Sequence, residues 1–223
     1  MPPQFTPMPL QTRNGAFDHP DWLFELKYDG FRALAYVEGA SCRLVSRNAH
    51  AFGSFQPLAE DIALALRSTR AIIDGEIACL DESGRPQFYD LLYRRAEPCF
   101  LAFDLLWHEG DDLRFLPLGE RKQRLKAITR STESRLLYAD HVETNGAALF
   151  ERACDLNLEG IVAKYRFGHY TADRESSTWF KIRNPQYSQM IDRAEHFKRD
   201  RHDEPVPGWH CCTVAVDAQV GQD

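Results

Sequence analysis

The residues best suited to chemistry stand in one octet, Glu25-Leu26-Lys27-Tyr28-Asp29-Gly30-Phe31-Arg32. Strand-like apolar runs flank it, Trp22-Leu23-Phe24 before and Ala33-Leu34-Ala35-Tyr36-Val37 after, so Asp29-Gly30 falls where a tight turn or bulge belongs. Lys27 then projects from a strand end beside that turn. An amine so placed can be partly stripped of water, which lowers its pKa and leaves some of it neutral and nucleophilic near pH 7. Taken alone, the octet is as compatible with a surface hairpin carrying three ordinary charges, because short charged motifs recur by chance. A second stretch, Asp74-Gly75-Glu76, puts two carboxylates on an otherwise apolar strand.

The elements that would position these groups are mostly strands. Residues 22–26, 33–38 and 42–46 read as an antiparallel meander with turns at Asp29-Gly30 and around Gly39. A helix follows from Pro57, with Leu58, Ile62, Leu64, Ala65 and Leu66 at roughly helical spacing. Residues 71–80 form the carboxylate-bearing strand, 87–95 a short helix, and 99–107 a nearly continuous apolar run of the kind a buried strand shows. Pro117-Leu118-Gly119-Glu120 opens a helix in which Arg121, Lys122, Arg124, Lys126 and Arg130 surround Leu125 and Ile128, and such a charge pattern reads as a solvated face. A short strand at 136–138, an amphipathic helix at 145–156 and two strands at 159–165 and 177–183 complete the pattern. Residues 191–223, dense in charge and then in Pro and Gly, read as a weakly ordered tail.

Bulk composition narrows the function classes. A chain of 223 residues, 43% hydrophobic, can bury a substantial core. Its net charge of −6 argues against a general coat for polyanions, so any nucleic acid must meet a local basic face. No stretch approaches the roughly 18 apolar residues of a membrane span, and the first residues lack the pattern of a signal peptide, which makes the cytoplasm the expected location. The six cysteines contain no C-x-x-C pair and read as reduced, mostly buried hydrophobes; His210-Cys211-Cys212 matches zinc spacing poorly.

Five segments in order, Lys27-x-Asp29-Gly30-x-Arg32, Asp74-Gly75-Glu76, Phe103-Asp104-Leu105-Leu106, Glu159-Gly160-Ile161-Val162-Ala163-Lys164 and Trp179-Phe180-Lys181-Ile182-Arg183, resemble the covalent nucleotidyltransferase superfamily. The nearest branch is the adenylation domain of ATP-dependent DNA ligases, and within it the ligase module of bacterial end-joining ligases, to which Ser46-Arg47-Asn48 is also similar. The resemblance implies an α+β fold built on antiparallel sheets with flanking helices, over residues 1–190. It implies that Lys27 attacks the α-phosphate of ATP and carries AMP as a phosphoramidate. Nucleotide contacts are implied for Glu25 (adenine edge), Leu26, Arg32, Glu76 (ribose hydroxyls), Phe103 (stacking on adenine), Lys164 and Lys181 (α-phosphate). Glu159 is implied as the carboxylate for Mg²⁺ or Mn²⁺, and Arg47 as the grip on a DNA 5′-phosphate. Asp29 would orient its loop, Asp74 belongs to the carboxylate strand, Asp104 is either structural or metal-linked, and Arg183 stands where many relatives have lysine.

Taken singly, several of these residues have plainer readings. Phe103 would be a core aromatic, Lys164 and Lys181 strand-edge charges, and Asp29 a turn residue. The expected partner is nicked or broken duplex DNA in a bacterial nucleoid, with other end-joining proteins or a separate OB-fold chain, because no OB-fold is expected after residue 190. An RNA ligase, a capping-type guanylyltransferase and a non-catalytic DNA-binding remnant are the alternatives.

Overall fold

The apolar runs on either side of Asp29-Gly30 do not pair with each other. The computed structural model describes residues 3–66, 69–129 and 134–189, all within one compact unit, Met1–Gln189. In chain order the elements are β1 (Gln11–Thr12), β2 (His19–Leu26), β3 (Phe31–Glu38), β4 (Ser41–Ser46), a 3₁₀ turn (Gly53–Phe55), α1 (Gln56–Ala65), β5 (Arg70–Ala78), α2 (Phe88–Leu92), β6 (Cys99–His108), β7 (Asp111–Asp112), α3 (Leu118–Ile128), β8 (Leu136–Tyr138), β9 (Val142–Thr144), α4 (Gly146–Asp155), β10 (Gly160–Tyr165) and β11 (Trp179–Arg183). One sheet has the order β1-β11-β10-β2-β9 and the other β4-β3-β5-β6-β7, with β8 against β6. Pairing is antiparallel except for β1 with β11 and β8 with β6.

The meander expected from the sequence is therefore corrected. β2 joins the first sheet, between β10 and β9, while β3 and β4 join the second. The octet is the crossing between them, not a hairpin. Gly30 permits it by close approach: a Cβ there would lie on the carbonyl of Ile77 and 3.2 Å from the Glu76 side chain.

The sheets stack face to face with an apolar layer between them, in which Leu23, Leu34, Tyr36, Ile72, Leu106, Val162 and Trp179 are buried. On the outer side of the second sheet, Leu58, Ala59 and Ile62 of α1 pack over β3, β5 and β6. On the outer side of the first, Leu149, Phe150 and Ala153 of α4 pack against Phe24, Ile161 and Ala163. With both faces covered, β5 and β6 are almost wholly buried, which is why they read as unbroken apolar runs. Cys42, Cys79 and Cys99 are buried free thiols, as expected of small hydrophobes, and Cys154 is half-buried. No described helix is long and apolar enough to cross a membrane. The tail at 191–223, its His210-Cys211-Cys212 run and Arg130 lie outside the described residues.

α3 departs from its expected solvated face. Leu118, Arg121, Lys122 and Leu125 fall at i, i+3, i+4 and i+7, and this stripe faces inward with both cations fully buried. Arg121 donates from Nε and from a terminal nitrogen to the two oxygens of Asp104, each at 2.8 Å, and also to the carbonyls of Leu116 and Gly168. Asp104 is thus the anchor of α3, which is its structural reading.

Breaking such a pair leaves a buried, uncompensated charge. Asp104→Leu alone should cost about 3–5 kcal/mol. The double variant Asp104→Leu/Arg121→Met should recover part of that loss, as measured by chemical denaturation.

Candidate active site

Lys27 follows the last residue of β2, and its backbone N–H donates to the carbonyl of Gly160 at 2.9 Å. That carbonyl is available because Gly160 adopts φ +134, and because a Cβ there would collide with Ile182 and Arg183 of the neighbouring strand. Beyond Lys27, Asp29 is buried and accepts from the Tyr187 hydroxyl at 2.9 Å. Tyr187 therefore holds the loop in which Asp29 was expected to act.

The side chain of Lys27 stands at the junction of two cavities. Inward is a pocket walled by Leu10, Leu26, Phe103, Val162 and Trp179, with Glu25, Arg32, Glu76 and Lys164 also lining it. Outward is a cleft of about 710 Å³ lined by Arg32, Arg47, Arg174, Lys181 and Arg183, with Glu76 on its wall. Lys27 Nζ donates to Glu159 Oε2 at 2.7 Å, and Arg183 Nε lies 4.0 Å from the other oxygen of Glu159. The Lys27 side chain is 18% exposed and Glu159 only 5%.

Phe103 reaches the pocket through an irregularity in its strand. Asp74 lies opposite Asp104, but Gly75 lies opposite Ala102, so Phe103 is the extra residue of a slip in register between β5 and β6. Such a bulge re-aims a side chain that would otherwise continue the alternation of the sheet. Phe103 sits edge-on to Trp179, with ring centroids 5.8 Å apart. Lys164 Nζ approaches both rings, at 4.2 Å from Phe103 and 4.1 Å from Trp179.

Beneath these rings three charges are buried together. Glu25 accepts from Lys122 Nζ at Oε1 and from Lys164 Nζ at Oε2, each at 2.6 Å. Burial alone would raise the pKa of Glu25, but the two ammoniums outweigh it and hold the carboxyl below its ordinary value. One carboxylate cannot fully compensate two cations, and burial, opposed by Glu25, pushes Lys164 down to about 8. Lys164 and Lys181 are not strand-edge charges: β10 lies between β11 and β2, and β11 between β1 and β10. Lys181 faces the outer cleft, where burial and then the neighbouring Arg183 and Lys27 lower its pKa. Of the two lysines expected at the α-phosphate, Lys181 faces the cleft, whereas the Lys164 ammonium is engaged by Glu25.

Arg32 is clamped by Asp74 through two bonds, at 3.1 and 2.7 Å, and donates to the carbonyl of Met8; Tyr170 donates its hydroxyl to Asp74 at 2.6 Å. Asp74 is thus a buried orienting group for Arg32. Glu76, opposite Arg32 in the sheet, is half-buried, and loss of water pushes its pKa up to about 8 despite the nearby Lys27 and Arg32. Arg47 is exposed on the turn after β4 and lines the outer cleft. The structure therefore brings Glu25, Leu26, Lys27, Arg32, Glu76, Phe103, Lys164, Lys181, Arg47 and Arg183 to two adjoining cavities, with Glu159 bonded to Lys27. Asp29, Asp74 and Asp104 stand behind them as supports. Sequence reasoning gave no site role to Lys122, Tyr170, Arg174, Trp179 and Tyr187; of these, Lys122 carried a signal in its place on the apolar stripe of α3, and Trp179 in opening the last of the five segments.

Residues 10–183 match the family described as "ATP dependent DNA ligase domain". The chain belongs to that family. This ligase domain is 36% identical over 169 residues to the multifunctional non-homologous end joining protein LigD of Pseudomonas aeruginosa, covering 73% of the chain and 20% of that protein. It is 33% identical over 170 residues to a DNA ligase of Natronomonas pharaonis, covering 70% of the chain and 31% of that protein. The ligase domain therefore spans about a fifth to a third of the length of these relatives. Its backbone matches the solved structure of mycobacterial DNA ligase D complexed with ATP and MES, with a TM-score of 0.69, 28% identity, and coverage of 80% of this chain and 60% of that one. A Chlorella virus DNA ligase-adenylate shares the fold at 17% identity and a TM-score of 0.52.

The raised pKa of Glu76 has a consequence for stability. Unfolded, this group releases its proton near its ordinary 4.5; folded, near about 8. Between those values the folded chain holds the extra proton, so stability falls as pH rises from about 4.5 to about 8. Glu76→Gln has no proton to lose, and its denaturation midpoint should gain on that of the wild type steadily between pH 5 and 8.

Proposed function

We propose that this chain is the adenylyl-transfer unit of an ATP-dependent DNA ligase, with Lys27 as its nucleophile. The observation that carries the reading is the place of Lys27 between an aromatic-walled pocket and a cation-lined cleft. A nucleoside triphosphate has the same polarity, an apolar base at one end and a chain of anions at the other. With the base against Phe103 and Val162 and the ribose near Glu76, the α-phosphate comes to Lys27 and the outer phosphates to Lys181 and Arg183. The chain is acidic overall, so these cations form a local field rather than a general one.

In the proposed first step the Lys27 amine forms an N–P bond to the α-phosphorus while the bond to the bridging oxygen breaks and pyrophosphate leaves. The Lys27 ammonium gives one proton to Glu159 along their hydrogen bond, and the second, shed as the N–P bond forms, leaves with pyrophosphate. Cations in the cleft stabilise charge on the phosphoryl oxygens, an effect strongest where water is excluded. AMP then passes to a DNA 5′-phosphate gripped by Arg47, whose planar guanidinium suits a bidentate phosphate contact. A 3′-hydroxyl displaces AMP and closes the strand.

Among the described residues no cluster of three or more metal-ligating side chains is present. Mg²⁺ dehydrates reluctantly and takes one or two carboxylates together with phosphates and water. Glu159, whose Oε1 lies 4.0 Å from Arg183 Nε, is the residue that would hold it. The ion would supply further neutralisation of phosphate charge.

Likeness to end-joining proteins supports broken or nicked duplex DNA as the substrate and a place at the chromosome in a bacterial cytoplasm. An OB-fold module, in the same or another chain, would close over the cleft.

Incubation with α-labelled ATP and Mg²⁺ should leave a covalent label on the wild type that Lys27→Ala abolishes. No label on the wild type, or a label that persists in the variant, would sink the reading. Glu159→Gln should label about 10²-fold more slowly if Glu159 receives the proton. Transfer to a nicked duplex bearing a 5′-phosphate, resolved on a denaturing gel, separates full sealing from adenylation alone.

A further inference from the structure

We propose that Lys122, a residue with no contact to the reacting atoms, makes the pocket selective for a 6-aminopurine by holding Glu25 as an oriented acceptor. This inference rests on reading the pocket as the nucleotide site. Its geometric basis is that Lys122 has no donor left for a ligand. An ammonium has three N–H groups, and Lys122 Nζ has three acceptors: Glu25 Oε1 at 2.6 Å, the carbonyl of Ala139 at 3.1 Å and that of Phe103 at 3.4 Å. It is 1% exposed and absent from the pocket wall, whereas Glu25 is on that wall. Lys122 is thus a positioning residue.

Glu25, by contrast, keeps capacity. A carboxylate offers about four lone-pair sites, and the two lysines take one on each oxygen. What remains can only accept while the group is ionised. The 6-amino group of adenine donates; the 6-oxo group of guanine would turn a lone pair toward a carboxylate in a site closed to water, which leaves both polar groups unpaired. Lys164 holds the other oxygen of Glu25 at the same 2.6 Å and also lies against the faces of Phe103 and Trp179. Lys122 also holds the backbone carbonyl of Phe103, so the aromatic beside the base and the acceptor at its edge share one anchor. The sequence places that anchor by setting a lysine on the apolar stripe of α3.

The test uses the full chain and compares covalent labelling by ATP, GTP and purine riboside triphosphate, which has no group at position 6. Wild type should prefer ATP. In Lys122→Met the ratio of kcat/KM for ATP over GTP should fall by about tenfold or more, mostly through a higher KM for ATP, with the maximal labelling rate retained. ATP and purine riboside triphosphate should become equivalent. Lys122→Arg, which keeps a cation, should restore most of the preference, and a purely structural role would not sort the nucleotides in this way. If Lys122→Met does not fold, Lys122→Leu, which likewise has no donor for Glu25, is scored by the same ratio. A folded variant, Met or Leu, whose ratio stays within twofold of the wild type overturns the proposal while leaving the active-site reading intact. A wild type that takes label from neither nucleotide overturns both.

Discussion

The structure depends on burying opposite charges together in the layer between two sheets. Glu25, Asp74, Asp104, Arg121, Lys122 and Lys164 are all nearly or wholly out of water. An isolated ion in such a place would lose its charge or unfold the chain, so each must be met by a partner with good geometry. Asp104 meets Arg121, Asp74 meets Arg32 and Tyr170, and Glu25 meets both lysines. These pairings contribute little net stability by themselves. What they provide is uniqueness: α3, β2, β5, β6 and β10 can be brought together in few other ways without orphaning a charge.

That constraint explains why the octet crosses between sheets. β2 brings Glu25 to the lysines of α3 and β10, and β3 brings Arg32 to Asp74 of β5. The connection must then pass tightly over Ile77, where only glycine fits, and Lys27 is left at the rim with its backbone tied to Gly160. The register slip that frees Phe103 belongs to the same arrangement, since it lies between the residue pairs Asp74/Asp104 and Gly75/Ala102.

The longer strands and helices were legible from local pattern, because β5 and β6 are covered on both faces and α1 and α4 each carry one apolar side; the two- and three-residue strands β1, β7 and β9 were too short to show one. The order of five charged segments also marked the residues that gather at the two cavities. Pairing between strands was not legible, for nothing within 22–38 says that its two strands belong to different sheets; that is decided by Asp74, Lys122 and Lys164, distant in sequence. The face of α3 misled because charge was read as exposure. Counting Arg121 and Lys122 with Leu118 and Leu125 restores a helical stripe, and a cation on such a stripe implies a buried carboxylate elsewhere. Tyr170, Tyr187 and Arg174 come from loops without periodicity, so their convergence could be seen only in three dimensions.

The same contrast bears on which lysine can react. Lys164, at about 8, would be the more readily neutral amine by burial alone. It is nevertheless boxed in by Glu25 on one side and by the rings of Phe103 and Trp179, so no phosphorus could reach it in line with a leaving group. Lys27 stands 2.7 Å from Glu159 Oε2 and has an open side toward the cation-lined cleft. In the proposed reaction, nucleophilicity is therefore released on arrival of the nucleotide: phosphate oxygens compete for the cations of the cleft, and the proton shared by Lys27 and Glu159 moves to the carboxylate. Position at the junction, open to the cleft, distinguishes Lys27 from Lys122 and Lys164.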